Sequence, residues 1–573
     1  MLVLLGLGLA MAHAADAPWS KGPFECYVVP ALSSFQRLPD TIPVDGHLSS
    51  ELRFVAAQGE FEPASFVIVP RQTVAKLELK PSDLTGPGGS VPASAVDIKI
   101  VKVWYQAGTG WYSYFGDSNR RELIPELLLN DETLVKVDEK AKENYLRVGG
   151  EYRWVSYPAS KAEKAFNYIT ENVSDSPVLL PIALAKGQNK QIWVTIKVQQ
   201  GLAGGIYRGK INLIADGQPA GAMEVALRVL PFALPKPKTY YNLDNPFLVS
   251  LYATSILGLS AQFKVPEDVT NQRQLAVYKD LLDHNVFNNR AEARVTGRDI
   301  VKDTAAFQRE FDLFKQAGFE TKPLISSAWA YPLGADEEKN FDLVKGRIDA
   351  LSEMVKRVAG HDDIYFATWD EAGEARIKFM RQAAEYLKTK NLKLWATTAP
   401  GRHFELAGYV IDYANHGGYP RREIADQWHA VGAKVASYAG PHTGPENPDV
   451  FRRWEGLARY KAFYDGSYNY EYLTTMHPTL YEKQKTNVWN DFQGESFRRF
   501  NLVYPTINGV VDTLAWEGFR EGIDDIRYAT KLKQDAAAAI ASGNTEAMLE
   551  AKKALVWLEL MDAENTNLDT VRQ

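Results

Sequence analysis

A single cysteine, Cys26, in 573 residues excludes an intramolecular disulfide and every paired-thiol metal or redox motif. The nine histidines are scattered. None forms an HExxH, and EF-hand and P-loop patterns are also missing, so neither a metal nor a nucleotide cofactor is expected. The absence of a GxSxG elbow leaves nothing to support a serine hydrolase. Positive charge is not in excess: 65 Lys and Arg face 71 Asp and Glu, and the net charge of -6 gives no basic face for nucleic acid. No run, residues 2–11 included, is long and apolar enough to cross a bilayer, so no integral membrane segment is expected. Leu2 to Met11, followed by the small-x-small Ala12-His13-Ala14, reads as a signal-peptide core with the mature chain starting near Ala15 or Asp16. No Lys or Arg precedes that core, so either the true start lies upstream or the α-amino group supplies the charge. No lipidation cysteine stands at the cleavage site, and a periplasmic or secreted protein is expected.

What is present is aromatic and soluble in character, with 45% hydrophobic and 24% charged residues, 13 Trp and 28 Tyr. Such rings stack on the apolar faces of sugars, although any one of them is more often a core residue. From about residue 24 to 230 the apolar positions alternate, as in Ile192, Val194, Ile196 and Val198 and again in Met223, Val225, Leu227 and Val229, with Asp216-Gly217 as a hairpin turn signal. A β-sandwich is expected there, interrupted by a charged insertion at residues 130–164. The prolines of PFALPKPK, Pro231, Pro235 and Pro237, mark its end.

After residue 240 short apolar runs alternate with helical patterns, which argues for β/α units. Eight runs are candidates for strand ends: 242–245, 288–293, 323–329, 364–369, 394–398, 413–416, 435–438 and 488–491. The expected fold is therefore multidomain, β plus α/β, with an N-terminal β-sandwich and a TIM-like (β/α)8 barrel followed by C-terminal helices. The boundaries drawn are 1–15 for the signal peptide, 16–235 for the sandwich, 236–530 for the barrel and 531–573 for the extension, whose Leu549, Leu555, Val556 and Leu558 form a packing stripe.

Asp370 and Glu371 follow the fourth of those runs, where parallel α/β enzymes keep their chemistry. Adjacent side chains of a regular strand point to opposite faces, so both acids reach one pocket only if the backbone leaves strand geometry. The competing reading is a pair of acids complementing a helix N-terminus. Other strand ends supply Trp329, Asn415, His416, Tyr438, Trp489 and Asp491, and Trp516 and Glu517 follow, as candidates for stacking and hydroxyl contacts with a glycan.

The sequences AQGEFEP at residues 57–63, GIYRG at 205–209, Trp369-Asp370-Glu371, GPENP at 444–448, Tyr464-Asp465-Gly466 and WEGFREGIDD at 516–525 together resemble glycoside hydrolase family 123 and its surroundings. That resemblance implies a sandwich with a barrel and an exo-acting β-N-acetylgalactosaminidase or hexosaminidase with substrate-assisted, retaining hydrolysis. In that scheme Asp370 orients the 2-acetamido group and Glu371 is general acid and then general base, with a pKa raised by Trp369 or a neighbouring carboxylate. Tyr438 would bond the acetamide carbonyl. Two alternatives stay open: a glycosidase of a non-acetamido sugar with separated carboxylates, Glu371 working with Asp491 or Glu517, and a carbohydrate-binding protein without turnover.

Overall fold

The computed structural model describes residues 19, 22–107, 111, 120–156, 172–253, 255–257, 264–293, 295–329, 335–399, 402–438, 446–473, 489, 492–493, 497–498 and 501–572. The signal-peptide residues, Asp491 and most of the 488–491 run lie outside them.

The first part is built of two sheets that share a core. One contains β1 (Phe24–Val29), β3 (Phe61–Pro70), β5 (Val96–Ala107), β6 (Arg121–Leu129) and β7 (Lys190–Lys197) in the order β1-β3-β7-β5-β6, all antiparallel. The other contains β2 (Glu51–Gln58), β4 (Val74–Pro81), β8 (Gly205–Ala215) and β9 (Gln218–Ala233) in the order β4-β8-β9-β2, with β2 parallel to β9. The turn between β8 and β9 is the expected one: Asp216 and Gly217 have φ of 49° and 80°, the double positive φ that suits a two-residue hairpin. Ile192, Val194 and Ile196 are buried in the shared core as expected, but Trp193 and Thr195 on the opposite face are buried too. The reason is a second contact, because Trp193 Nε1 donates to Glu517 of the chain's second half at 3.1 Å. Pro231 lies inside β9 instead of beyond it, at the point where the register with β2 shifts. A proline lacks the N–H that a regular ladder would use there. Within the 130–164 insertion, residues 135–154 form a three-stranded antiparallel sheet.

The second part is a parallel sheet of seven strands. They are β10 (Leu248–Ala253), β11 (Leu324–Trp329), β12 (Ile364–Asp370), β13 (Lys393–Thr398), β14 (Tyr413–His416), β15 (Lys434–Ser437) and β16 (Gly466–Leu473), in the order β10-β16-β15-β14-β13-β12-β11. Residues 288–291 fill the gap between β10 and β11: Asn288 N donates to Val249 O at 3.0 Å, and Ala291 exchanges bonds with Ile325 O and Ser327 N at 2.9 and 3.0 Å. The sheet thus closes on itself. One side chain from each strand, Leu248, Ile325, Tyr365, Trp395, Tyr413, Ala436 and Tyr468, meets in a cluster separate from the outer core, which is what the interior of a closed parallel ring looks like. Between the strands run α1 (Glu267–Asp283), α2 (Ile300–Ala317), α3 (Phe341–Ala359), α4 (Glu374–Thr389), α5 (His403–Ala407), α6 (Arg422–His429) and α7 (Pro448–Arg453).

Two of the expected strands are displaced. Residues 242–245 form a turn closed by Asn245 N to Asn242 O, and the first strand is β10 instead. The last strand of the ring is β16, GSYNYEYL, whose alternating Ser467, Asn469 and Glu471 disguise a segment that is buried on both faces. The 530 boundary falls inside α8 (Leu514–Ala541), a single helix buried along most of its first half. It is followed by α9 (Thr545–Leu560), where Ala551 and Leu558 are buried while Leu549 and Val556 are exposed, so only part of the expected stripe packs.

Candidate active site

The expected departure from strand geometry is found at the acid pair. On β12 and β13, Ala367 pairs with Trp395 and Asp370 with Thr397, so three steps of one strand oppose two of the other. This one-residue bulge resets the alternation. Trp369 joins the outer core, and Asp370 takes the register position beside Thr397. Glu371 follows with φ at 40°, a left-handed conformation that non-glycine residues rarely adopt, held by its N–H to Thr397 O at 3.2 Å. Both acids are exposed. The next helix, α4, begins at Glu374 with Gly373 as its cap, so neither acid caps it.

Tyrosines converge on the pair. Tyr438 Oη donates to Glu371 Oε1. Burial first, then that bond, pushes the Tyr438 phenol well above its usual range, and the charge of Asp370 adds to the rise. Tyr252 is pushed up to about 12 by burial, with Asp370 again contributing. Tyr470 is raised by Glu471 first, then by burial, and also by Asp370. All three phenols therefore keep their protons at neutral pH and can act as donors.

Behind Tyr252 lies a polar layer of the ring. Its Oη is 2.8 Å from Thr397 Oγ1 and 3.3 Å from Asn415 Nδ2. Asn415 also donates to Tyr468 O at 3.2 Å, while its buried Oδ1 has no hydrogen-bond partner among the described residues. The Arg290 guanidinium stands 4.3 Å from the Tyr252 ring centroid and 5.3 Å from that of Trp395, and is locked by two bonds of 2.7 and 2.6 Å to Glu292. Buried Glu310 accepts from the backbone N–H groups of Glu292 and Ala293, which fixes this irregular stave. Sequence reading missed Tyr252, Arg290, Glu292 and Tyr470. The signal available was an Arg-x-Glu inside a run already read as a strand.

Of the remaining expected residues, His416 lies beside the site. Its Nδ1 is 3.2 Å from Thr398 Oγ1, and its pKa is lowered to about 4 by burial, then by Arg421 and His403. Trp329 ends β11 on the same side of the ring; its side chain is outside the described residues, as is Asp491. Trp489, Trp516 and Glu517 belong elsewhere. Trp489 is buried against Trp104 and Tyr504 of the contact between the two halves, with its Nε1 on Pro505 O. Trp516 stacks on His284 and donates to Asp280. Glu517 is ion-paired with Arg520 and His284 and lowered to about 2 against its own burial, mainly by Arg520. Trp516 and Glu517 lie in WEGFREGIDD, which is the buried start of α8 and not a strand-end loop, and Trp489 lies in the contact between the halves. Trp369 itself packs outward into the core.

Asp280, His284 and Asp512 place ligand atoms within 4.8 Å of one another, a spacing compatible with a metal. Each already has protein partners, Lys99 for Asp512 and Trp516 and Tyr472 for Asp280, and His284 is raised to about 10 by Asp280 and Glu517 against burial. The group acts as an ion-pair network between the halves.

A parallel ring with paired acids at a strand end defines the class of site. Among solved structures the chain is similar to a family 123 glycoside hydrolase from Clostridium perfringens, described for glycolipid glycan hydrolysis. The two are 12% identical, with 93% of this chain and 98% of that one covered and a TM-score of 0.62. This likeness shows a shared fold for a multidomain β plus α/β chain. A xyloglucanase from Bacteroides ovatus (8% identical, 82% and 98% covered, TM-score 0.29) and Gas2p from Saccharomyces cerevisiae (11%, 50% and 68%, 0.30) are too distant in structure to add to it. No family model matches the sequence, and no curated protein matches it.

Proposed function

We propose that this protein is an exported glycoside hydrolase that cleaves terminal β-linked 2-acetamido sugars, with a preference for N-acetylgalactosamine, by substrate-assisted retaining hydrolysis. The observation that carries the reading is the bulge before Asp370 and the left-handed Glu371 after it, which free two adjacent carboxylates from opposite faces of a strand. Two acids with different tasks are what the chemistry requires. The acetamide oxygen of the substrate attacks the anomeric carbon and displaces the leaving oxygen; Asp370 hydrogen-bonds the acetamide N–H and balances the oxazolinium charge. Glu371 donates a proton to the leaving oxygen, then takes one from the water that opens the ring. Tyr438 steadies Glu371, a different task from the acetamide contact expected of it. On this reading the paired sheets are a β-sandwich of residues 16–235 and the closed ring is a TIM-type barrel, with its site at the C-terminal strand ends.

The fold likeness to a family 123 enzyme agrees with this reading. A scheme using Glu517 as second carboxylate is disfavoured by its ion pairs with Arg520 and His284. Nitrophenyl glycosides with and without a 2-acetamido group separate the schemes: only the acetamido substrates should turn over efficiently. A thiazoline mimic of the oxazoline should inhibit competitively, and Asp370→Asn should weaken that inhibition. Efficient hydrolysis of 2-hydroxy glycosides with no thiazoline inhibition would overturn the mechanism and favour a two-carboxylate scheme such as Glu371 with Asp491. Export is tested separately by N-terminal sequencing from the native host, which should read from Ala15 or Asp16; an uncleaved chain in the cytoplasm would reject it.

A further inference from the structure

A cavity of about 540 Å³ opens in the first half of the chain, where β2, β8 and β9 face the end of β1, the start of β3 and the tail. None of its lining residues comes from the strands of the parallel ring. Segments from three of the motifs read in the sequence meet there: Glu62 and Pro63 of AQGEFEP, Ile206 and Arg208 of GIYRG, and Glu521 of WEGFREGIDD. The chemistry of the acid pair uses none of them.

Strand register builds the cationic side of this cavity. Ala226 of β9 pairs with Arg53 of β2 and with Arg208 of β8, while Arg228 pairs with Val55 and Ile206, so these six side chains form two rows on one face of the sheet. The other face, with Phe54, Tyr207, Val225 and Leu227, is core. At strand spacings of about 4.8 Å and a rise of about 3.3 Å per residue, the three arginines stand roughly 8 to 10 Å apart around Ala226, whose methyl group leaves a dent between them. The remaining cations of the lining are already committed. Arg452 is bound to Asp525 and Asp569 at 2.7 Å each, and Arg572 to Glu521 at 2.7 Å and Glu62 at 3.2 Å. At the mouth, by contrast, three guanidinium groups face one carboxylate, that of Glu51, 2.7 Å from Arg53 and 3.8 Å from Arg208. Arg228 has no ion-pair partner among the described residues. The Arg53 and Arg208 side chains are 79% and 66% exposed, so both can turn onto a ligand.

Planar guanidinium forks match the oxygens of a sulfate or carboxylate, which fixes the charge of the ligand. Val55, Ala226, Ile206 and Pro63 add apolar surface beside those forks, suited to the C–H face of a sugar ring and unused by a bare ion. We infer that this cavity is a second, non-catalytic site that holds an acidic glycan by a sulfate or carboxylate group, through Arg53, Arg208 and Arg228. The choice of a glycan rests on the proposed hydrolase reading; the oxyanion contact does not.

Calorimetric titration with sulfated maltohexaose, hexagalacturonate and neutral maltohexaose tests it, because none of these carries a 2-acetamido group for the acid pair. A charged hexasaccharide should bind and the neutral one should not, and the tighter of the two charged probes identifies the group. Joint Arg53→Ala, Arg208→Ala and Arg228→Ala should weaken binding about tenfold or more, the scale of lost charge-assisted hydrogen bonds. Arg228→Ala alone, which breaks no ion pair, should weaken it in the same direction and covers the case of a triple variant that fails to fold. Replacing the exposed Lys136, Lys140 and Lys142 with Ala removes the same charge elsewhere and should leave binding unchanged. Equal weakening by both triple variants, or binding that survives loss of the arginines, would overturn the site. Inorganic sulfate that binds as tightly as the hexasaccharides would overturn the glycan assignment. Hydrolysis of a nitrophenyl glycoside should be unchanged in the arginine variant, and a loss there would overturn the non-catalytic role. A wild-type protein inactive on every glycoside would sink the hydrolase reading, while the titrations, which need no turnover, would still decide this one.

Discussion

Replacing Glu371 with Gln should lower kcat/KM for substrates with poor leaving groups by roughly 10² to 10⁴, the range that a positioned general acid supplies. An aryl glycoside with an activated leaving group should lose less in the glycosylation step, because its leaving oxygen needs little protonation. The substitution is gentle on the fold. Glu371 is exposed, and Gln keeps an oxygen to accept from Tyr438, so thermal unfolding should be unchanged. The decisive quantity is the slope of log(kcat/KM) against leaving-group pKa, which should steepen in the variant. Equal, mild losses on good and poor leaving groups in a folded protein would remove Glu371 from the acid role.

The acid pair was legible in the sequence, and so was the condition for its use. Adjacent carboxylates at a strand end cannot share a pocket in regular geometry, and the register shift between Ala367 and Asp370 is the departure required. The count of eight strands was reached with two of them misplaced. Residues 242–245 contain the asparagines and aspartate of a turn, which argue against a strand there, and the 466–473 strand carries Ser, Asn and Glu at alternate positions, so hydropathy rated it too low. Trp489, Trp516 and Glu517 misled for a different reason. Aromatic and acidic residues are what a sugar site needs, but they also serve a buried contact between two halves. Local sequence cannot show that Trp193, 324 residues away, donates to Glu517. Arg290 and Glu292 were overlooked because charges in a strand usually read as solvent-facing, whereas the interior of a closed ring near its mouth is polar.

Arg572→Ala should destabilise the protein by about 3 to 5 kcal/mol, the usual result of removing one partner from a buried charge network. The Arg572 side chain is 5% exposed, and its guanidinium bonds Glu521 at 2.7 Å, Asp525 at 2.9 Å, and Glu60 and Glu62 at 3.2 Å each. It therefore joins the tail to β2–β3 and to α8. Burial raises the carboxyls of Glu60, Glu62 and Glu521, and Arg572 is among the charges that hold each of them down. The sign with pH follows. Without Arg572 these folded-state pKa values climb further while the unfolded values stay near the ordinary 4.3, so the folded state binds more protons than the unfolded one over a wider range. Stability then falls more steeply as pH rises above about 4.3. Denaturant unfolding at pH 5 and pH 8 should show a larger deficit at pH 8, because at pH 5 the carboxyls can be neutralised by protonation. Asp525, held below the usual range by Arg452 and Arg572 against its burial, pulls the other way, but it keeps Arg452 at 2.7 Å when Arg572 is lost. A variant with an unfolding midpoint equal to wild type at pH 8 would show that the three raised carboxyls do not depend on Arg572.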